Sequence, residues 1–231
     1  MDPRLIVALD FDNQPLALEL IDQLDSSQCA LKVGGEMFTR FGPHFVWQLV
    51  DRQFKVFLDL KFHDIPNTVA QSCKAAADLG VWMVNVHAAG GLAMMQTARQ
   101  ALATYGDTRP LMIAVTVLTS MSQTDFATMG VTGDLKERVK QLARMAQEAG
   151  LDGVVSSALE VEAIKSICGP TFLTVTPGIR LATDNPNDQS RVCTPEQALK
   201  AGSDFLVVGR PITAAKDPAS VVRDLLLLMK S

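Results

Sequence analysis

Lys55-Val-Phe-Leu-Asp-Leu-Lys-Phe-His-Asp-Ile-Pro-Asn-Thr68 is a short apolar run that ends in several charges and a proline. Val56, Phe57, Leu58 and Leu60 have the β-branched, aromatic and aliphatic character of a buried strand over 56–60. A strand has period two, so Asp59 and Lys61 project from one face at its carboxyl end. Asp64 falls past the strand on a turn, and Pro66-Asn67 opens the next helix, where the missing proline N–H has no helical partner to lose. Ionised groups buried at the end of an apolar strand are costly unless they are paired. Two arrangements answer that cost: a structural Asp59–Lys61 ion pair with Asp64 capping the helix, or a functional cluster of all three.

Outward from this stretch the same pattern recurs. Apolar runs lie at 5–9, 30–33, 83–86, 112–118, 153–156, 172–175 and 205–208. Helical spacing follows them at 15–24, 38–50, 66–79, after Gly90-Gly91, at 135–149, 159–167 and 219–229. With 56–60 this makes eight short runs alternating with helical periods, which predicts a single (β/α)8 barrel domain spanning 1–231. The one long polar connection, 181–193, follows the seventh run and reads as a lid loop, because long structureless loops in compact domains are commonly functional.

Composition agrees with one enzyme-sized domain. The chain has 231 residues, 48% hydrophobic and 20% charged, enough to bury a full core. A net charge of −4 with no dense basic run argues against nucleic acid or a membrane surface as partner. The apolar stretch 221–229 is too short for a membrane span, and no signal-peptide pattern opens the chain, which together point to a cytoplasmic protein. Cys29, Cys73, Cys168 and Cys193 lack metal-site spacing, as do His44, His63 and His87, so free thiols and no metal centre are expected.

In a barrel the functional groups gather at the carboxyl ends of the strands. Asp10 ends the first run, Lys32 lies in the second, and Asp59 and Lys61 end the third. Thr176-Pro-Gly-Ile-Arg180 and Gly209-Arg210 follow the last two. Glycine admits backbone N–H groups close to an anion, and the arginine fork matches phosphate oxygens, so these turns suit a phosphate. Taken singly, each of these residues also reads as an ordinary turn residue, snorkelling lysine or solvated arginine.

Val-Ala-Leu-Asp10, Leu-Lys-Val-Gly34, Asp59-Leu-Lys-Phe-His-Asp-Ile-Pro-Asn-Thr68, Thr-Pro-Gly-Ile-Arg180 and Val-Gly-Arg-Pro-Ile212 occur in that order. Together they resemble the bacterial type of the orotidine 5'-phosphate decarboxylase family. The Asp-x-Lys-x-x-Asp core alone is shared with a wider group of phosphosugar barrels; the longer run and the Gly/Arg motifs narrow the resemblance. It implies a cofactor-free decarboxylation of orotidine 5'-monophosphate (OMP) to uridine 5'-monophosphate (UMP), the last step of UMP synthesis. In that scheme Lys61 stabilises and protonates the C6 carbanion while Asp59 and Asp64 orient it. By the same resemblance Asp10 and Lys32 hold the ribose hydroxyls, Thr119 contacts the pyrimidine, and Arg180, Gly209 and Arg210 bind phosphate with Gln189 reaching from the lid. The active form implied is a homodimer in which Asp64 and Thr68 enter the neighbouring site. His87, at the end of the fourth run, has no proton-transfer role in this reading and is expected to be a hydrogen-bonded structural histidine. A Mg²⁺-dependent phosphosugar decarboxylase or aldolase of the same superfamily and a non-catalytic nucleotide-binding barrel are the rival readings.

Overall fold

The computed structural model describes residues 3–180 and 193–229. In chain order the elements are β1 Leu5–Leu9, α1 Gln14–Ile21, β2 Ala30–Gly34, α2 Gly35–Asp51, β3 Val56–Phe62, α3 Pro66–Asp78, β4 Met83–His87 and α4 Leu92–Leu102. They continue with β5 Leu111–Val115, α5 Gln123–Thr128, α6 Leu135–Glu148, β6 Gly153–Val155, α7 Ala158–Cys168 and β7 Leu173–Thr176. Last come α8 Pro195–Lys200, β8 Phe205–Val208, α9 Arg210–Thr213 and α10 Pro218–Leu228. The strands pair in sequence order, and β8 closes on β1 through Ile6 opposite Val207, so the sheet is a parallel (β/α)8 barrel.

Both faces of every strand are covered, which is why the strands read as continuous apolar runs instead of alternating ones. On β1, Leu5, Val7 and Leu9 pack outward against the helices, while Ile6 and Ala8 point into the barrel. Phe57, Met83, Ile113, Val175, Phe205 and Val207 join them to fill the interior. Met94, Met95 and Met112 fill the outer layer, each at most 1% exposed.

The departures from the sequence expectation fall at strand and helix ends. β3 runs on to Phe62 instead of stopping at 60, with a register shift against β4 between Leu58 and Phe62. β5 stops at Val115 rather than 118, because its ladder partners run out: His87 and Val155, the last residues of β4 and β6, both pair with Val115. Thr119 therefore sits on a loop past the strand. Helix α2 starts at Gly35 and kinks at Gly42 (φ 67°), where Pro43 removes an N–H from the ladder. The short helices α5 and α8 were not anticipated; each is set by a side-chain capping box, Ser122 with Asp125 and Thr194 with Gln197. The four cysteines are free, and burial pushes the Cys29 and Cys73 thiols up to about 12. Among the described residues no helix is long and apolar enough to cross a membrane.

Candidate active site

A cavity of about 580 Å³ opens at the carboxyl end of the barrel, and the strand ends deliver side chains into it. Asp10 lines it from just past β1, Lys32 from β2, Asp59 and Lys61 from β3, Thr119 from past β5, Arg180 from past β7, and Gly209 and Arg210 from the β8–α9 junction. These residues span some 200 positions of sequence, and barrel closure brings them to one mouth. Asp64 and Thr68 do not line it; both are exposed, Asp64 on the β3–α3 turn and Thr68 in the first turn of α3. Gln189 and the lid positions 181–192 lie outside the described residues.

The charges form an alternating array. Lys32 Nζ lies 3.3 Å from Asp59 Oδ2 and 3.7 Å from Asp10 Oδ1, and Lys61 Nζ donates to Asp59 Oδ1 at 2.7 Å. Burial raises the Asp59 carboxyl pKa, but the charges of Lys32 and Lys61 and hydrogen bonds from Lys61 and Asn85 outweigh it, leaving the group below its ordinary value. It is held as a carboxylate with cations on two sides.

Lys61 reaches the cavity at some conformational cost. Its φ is +52°, in the left-handed region that a residue with a Cβ rarely occupies, a strain worth about 1–3 kcal/mol. Leu60 and Phe62 on either side pack against the outer core, so Lys61 stays on the inward side with Asp59, as period two requires. The register shift removes regular pairing here, and the Lys61 N–H is taken instead by the side chain of Asn85, at 2.8 Å.

The opposite wall is apolar. Val115, Val117, Leu118, Val155 and Val175 line it with Thr119 and Ser120 beside them. Between β7 and β8, Gly178 takes φ 81°, a conformation that favours glycine, and its carbonyl accepts the Cys193 N–H at 3.2 Å. Arg180 N–H donates to the Cys193 carbonyl at 3.0 Å, so Cys193 is joined by backbone hydrogen bonds to both Gly178 and Arg180.

His87 differs from its expectation. Neither its ring nor that of His63 makes a hydrogen bond among the described residues; the two rings pack against each other, centroids 5.5 Å apart, beside the charged array. Burial lowers the His87 pKa, and the nearby His63 and Lys61 push it the same way. The reason is positional: β4 ends at His87, where the facing group is an imidazole from the β3–α3 turn and not a carboxylate.

Sequence reasoning missed Asn85, the apolar wall and Ser120. Asn85 carried a legible signal, since a lone amide inside Met83-Val-Asn-Val-His87 must find partners if the strand is buried. The apolar wall had none, because its valines read as core.

A closed parallel barrel with paired lysines and aspartates on or just past β1–β3, and arginines following β7 and β8, defines a (β/α)8-barrel enzyme with its candidate site at the strand carboxyl ends. The family model described as "Orotidine 5'-phosphate decarboxylase / HUMPS family" matches residues 3–225, and the chain belongs to that family. It is 64% identical over 226 residues to the orotidine 5'-phosphate decarboxylase of Legionella pneumophila strain Paris, covering 98% of this chain and 99% of that one. The protein of the same name from Glaesserella parasuis is 56% identical over 225 residues, covering 97% and 98%. Among solved structures, orotidine 5'-phosphate decarboxylase from Lactobacillus acidophilus superposes with a TM-score of 0.89 at 38% identity, over 100% of both chains.

Proposed function

We infer that this enzyme decarboxylates orotidine 5'-monophosphate to uridine 5'-monophosphate without a cofactor, with Lys61 as the proton donor. The observation that carries the mechanism is the Lys61 ammonium on the inward side of the barrel mouth, 2.7 Å from the Asp59 carboxylate. Loss of CO₂ from C6 leaves a carbanion in an sp² orbital that the ring cannot delocalise. An ammonium fixed beside C6 stabilises that charge as it develops and then transfers a proton to it from Nζ. Asp59 keeps the ammonium aimed. In this reading Asp59 also lies near the substrate carboxylate, and two like charges about 3 Å apart at an effective dielectric near 20 would repel by roughly 5 kcal/mol, which would favour departure of CO₂.

The remaining residues bind. Asp10 and Lys32 take the ribose hydroxyls, Thr119 the pyrimidine, and Arg180, Gly209 and Arg210 the phosphate, with Gln189 reaching from the lid toward phosphate and base. A Cβ at Gly209 would stand 3.6 Å from Ala8 Cβ and 3.7 Å from Asp10 Oδ2, so packing within the chain does not demand glycine there. Glycine there leaves the backbone N–H groups open to close approach by a phosphate. Asp64 and Thr68 complete the site of a second copy in a homodimer. Their exposure outside their own chain's cavity supports this, as does Ile65 between them, an apolar side chain left 67% exposed.

The test is loss of the orotate ultraviolet chromophore on adding the enzyme to OMP, with and without a chelator. Turnover unaffected by chelator is expected. An intact chromophore, with a phosphosugar consumed only when Mg²⁺ is present, would assign the metal-dependent phosphosugar chemistry instead, and OMP turnover lost in chelator would overturn cofactor independence.

A further inference from the structure

Asn85 is fully buried at the centre of β4 and points into the barrel, on the same face as Met83. Its amide makes two short hydrogen bonds in opposite senses. Nδ2 donates to Asp59 Oδ1 at 2.7 Å, and Oδ1 accepts the backbone N–H of Lys61 at 2.8 Å. The carboxylate can only accept and the backbone N–H can only donate, so the amide has one orientation that satisfies both. Asp59 Oδ1 is the same oxygen that receives the Lys61 ammonium. One side chain thus holds the backbone of Lys61 in its left-handed conformation and the carboxylate against which the Lys61 side chain is aimed.

We propose that Asn85 is a positioning residue for the decarboxylation, fixing Lys61 and Asp59 relative to each other through this two-way clamp. The proposal rests on the decarboxylase reading above. It assigns Asn85 no contact with substrate and no proton transfer. Without the clamp the Lys61 N–H loses its acceptor, the residue relaxes from φ +52°, and the ammonium is no longer delivered beside C6.

The discriminating variant is the isosteric Asn85→Asp. A protonated carboxyl reproduces the clamp, accepting from the Lys61 N–H with one oxygen and donating to Asp59 with the other. An ionised one still accepts but opposes Asp59. Burial and the like charge of Asp59 push the introduced group's pKa up and the Lys61 and Lys32 ammonium groups pull it down; whatever their balance, its protonated fraction grows as pH falls towards 5. The other titratable groups nearby are Lys61, whose ammonium meets the same Asp59 oxygen, Lys32, held to Asp59, and His87 two residues along β4 with His63 against it, while Ile113, paired with Asn85 from β5, is uncharged. Wild type shares these groups, so the readout is the ratio of variant to wild-type kcat across pH.

At neutral pH the ratio should fall to about 1/100 or below, rising at least tenfold towards pH 5, while KM and the Kd for UMP stay within about fivefold of wild type. Asn85→Ala, which can neither accept nor donate, should show a similar kcat loss with a ratio that does not change with pH. A flat ratio for Asn85→Asp, a loss of UMP affinity equal to the loss of kcat, or kcat within threefold of wild type in Asn85→Ala would each overturn the clamp. If Asn85→Asp does not fold, Asn85→Ala decides by its kcat and KM; if neither folds, the residue is structural and the proposal fails. Failure of the wild-type enzyme to consume OMP would instead overturn the reaction on which the proposal stands.

Discussion

Lys61 lines the cavity and Asp64, three residues later, does not; the Asp64 carboxylate instead accepts the N–H of Ile65 at 2.6 Å on the exposed turn. Within one chain Lys61 therefore pairs with Asp59 alone among the described carboxylates. This separation divides the Asp-x-Lys-x-x-Asp motif between two sites in the proposed homodimer and gives its most specific test. Lys61→Ala and Asp64→Ala proteins, each nearly inactive, should recover activity when mixed and allowed to exchange subunits. Random exchange at equal concentrations makes about half the dimers mixed, each with one intact site, so about a quarter of wild-type activity is expected from two-fold symmetry. No recovery despite demonstrated exchange would put Asp64 in its own chain's site.

Lys61→Ala alone should lower kcat by at least about 10²-fold, the usual cost of removing a positioned acid, while the protein stays folded and still binds UMP. Single-turnover kinetics with a UMP titration check both halves. A variant keeping a tenth of the wild-type rate would remove Lys61 from proton donation.

Arg210 lines the cavity just past β8, at the first position of α9. Binding energy from a phosphate that does not react can be used in closing the site and so appears in the chemical step. Arg210→Ala should lower kcat/KM for OMP by about 10²-fold or more, the worth of a lost charge-assisted pair, and leave turnover of orotidine, which lacks the phosphate, nearly unchanged. Equal losses on the two substrates would take Arg210 out of phosphate binding.

His87 supplies a pH prediction. Burial, then the adjacent His63 and Lys61, hold its pKa below the ordinary 6.5, so the unfolded chain binds this proton more readily than the folded one. The contribution of the neutral ring is fully present above pH 6.5 and is lost as pH falls below it towards the folded pKa. Wild-type Tm should therefore drop more between about pH 7 and 5.5 than that of His87→Gln, which has no proton to gain. Parallel Tm profiles for the two proteins would contradict this account.

The sequence by itself determined the barrel and most of the cavity's charged residues. Eight apolar runs alternating with helical periods leave few architectures that bury both faces of every strand, and by counting alone Asp10, Asp59 and Lys61 fall at strand ends and Lys32 within a strand. Period two was enough to put Asp59 and Lys61 on one face, because Leu60 and Phe62 have the outer core to fill. Tertiary structure decided what depends on pairing between strands distant in sequence. β5 ends at Val115 because β4 and β6 end beside it, which no property of residues 116–118 announces. Lys61 adopts a left-handed backbone because the β3–β4 register shifts and Asn85, 24 residues away, offers an acceptor. That Asp64 lies outside the cavity lined by Asp59 and Lys61 is likewise a matter of where the turn after β3 points, since side-chain chemistry is local to the sequence and direction is set by the packed whole.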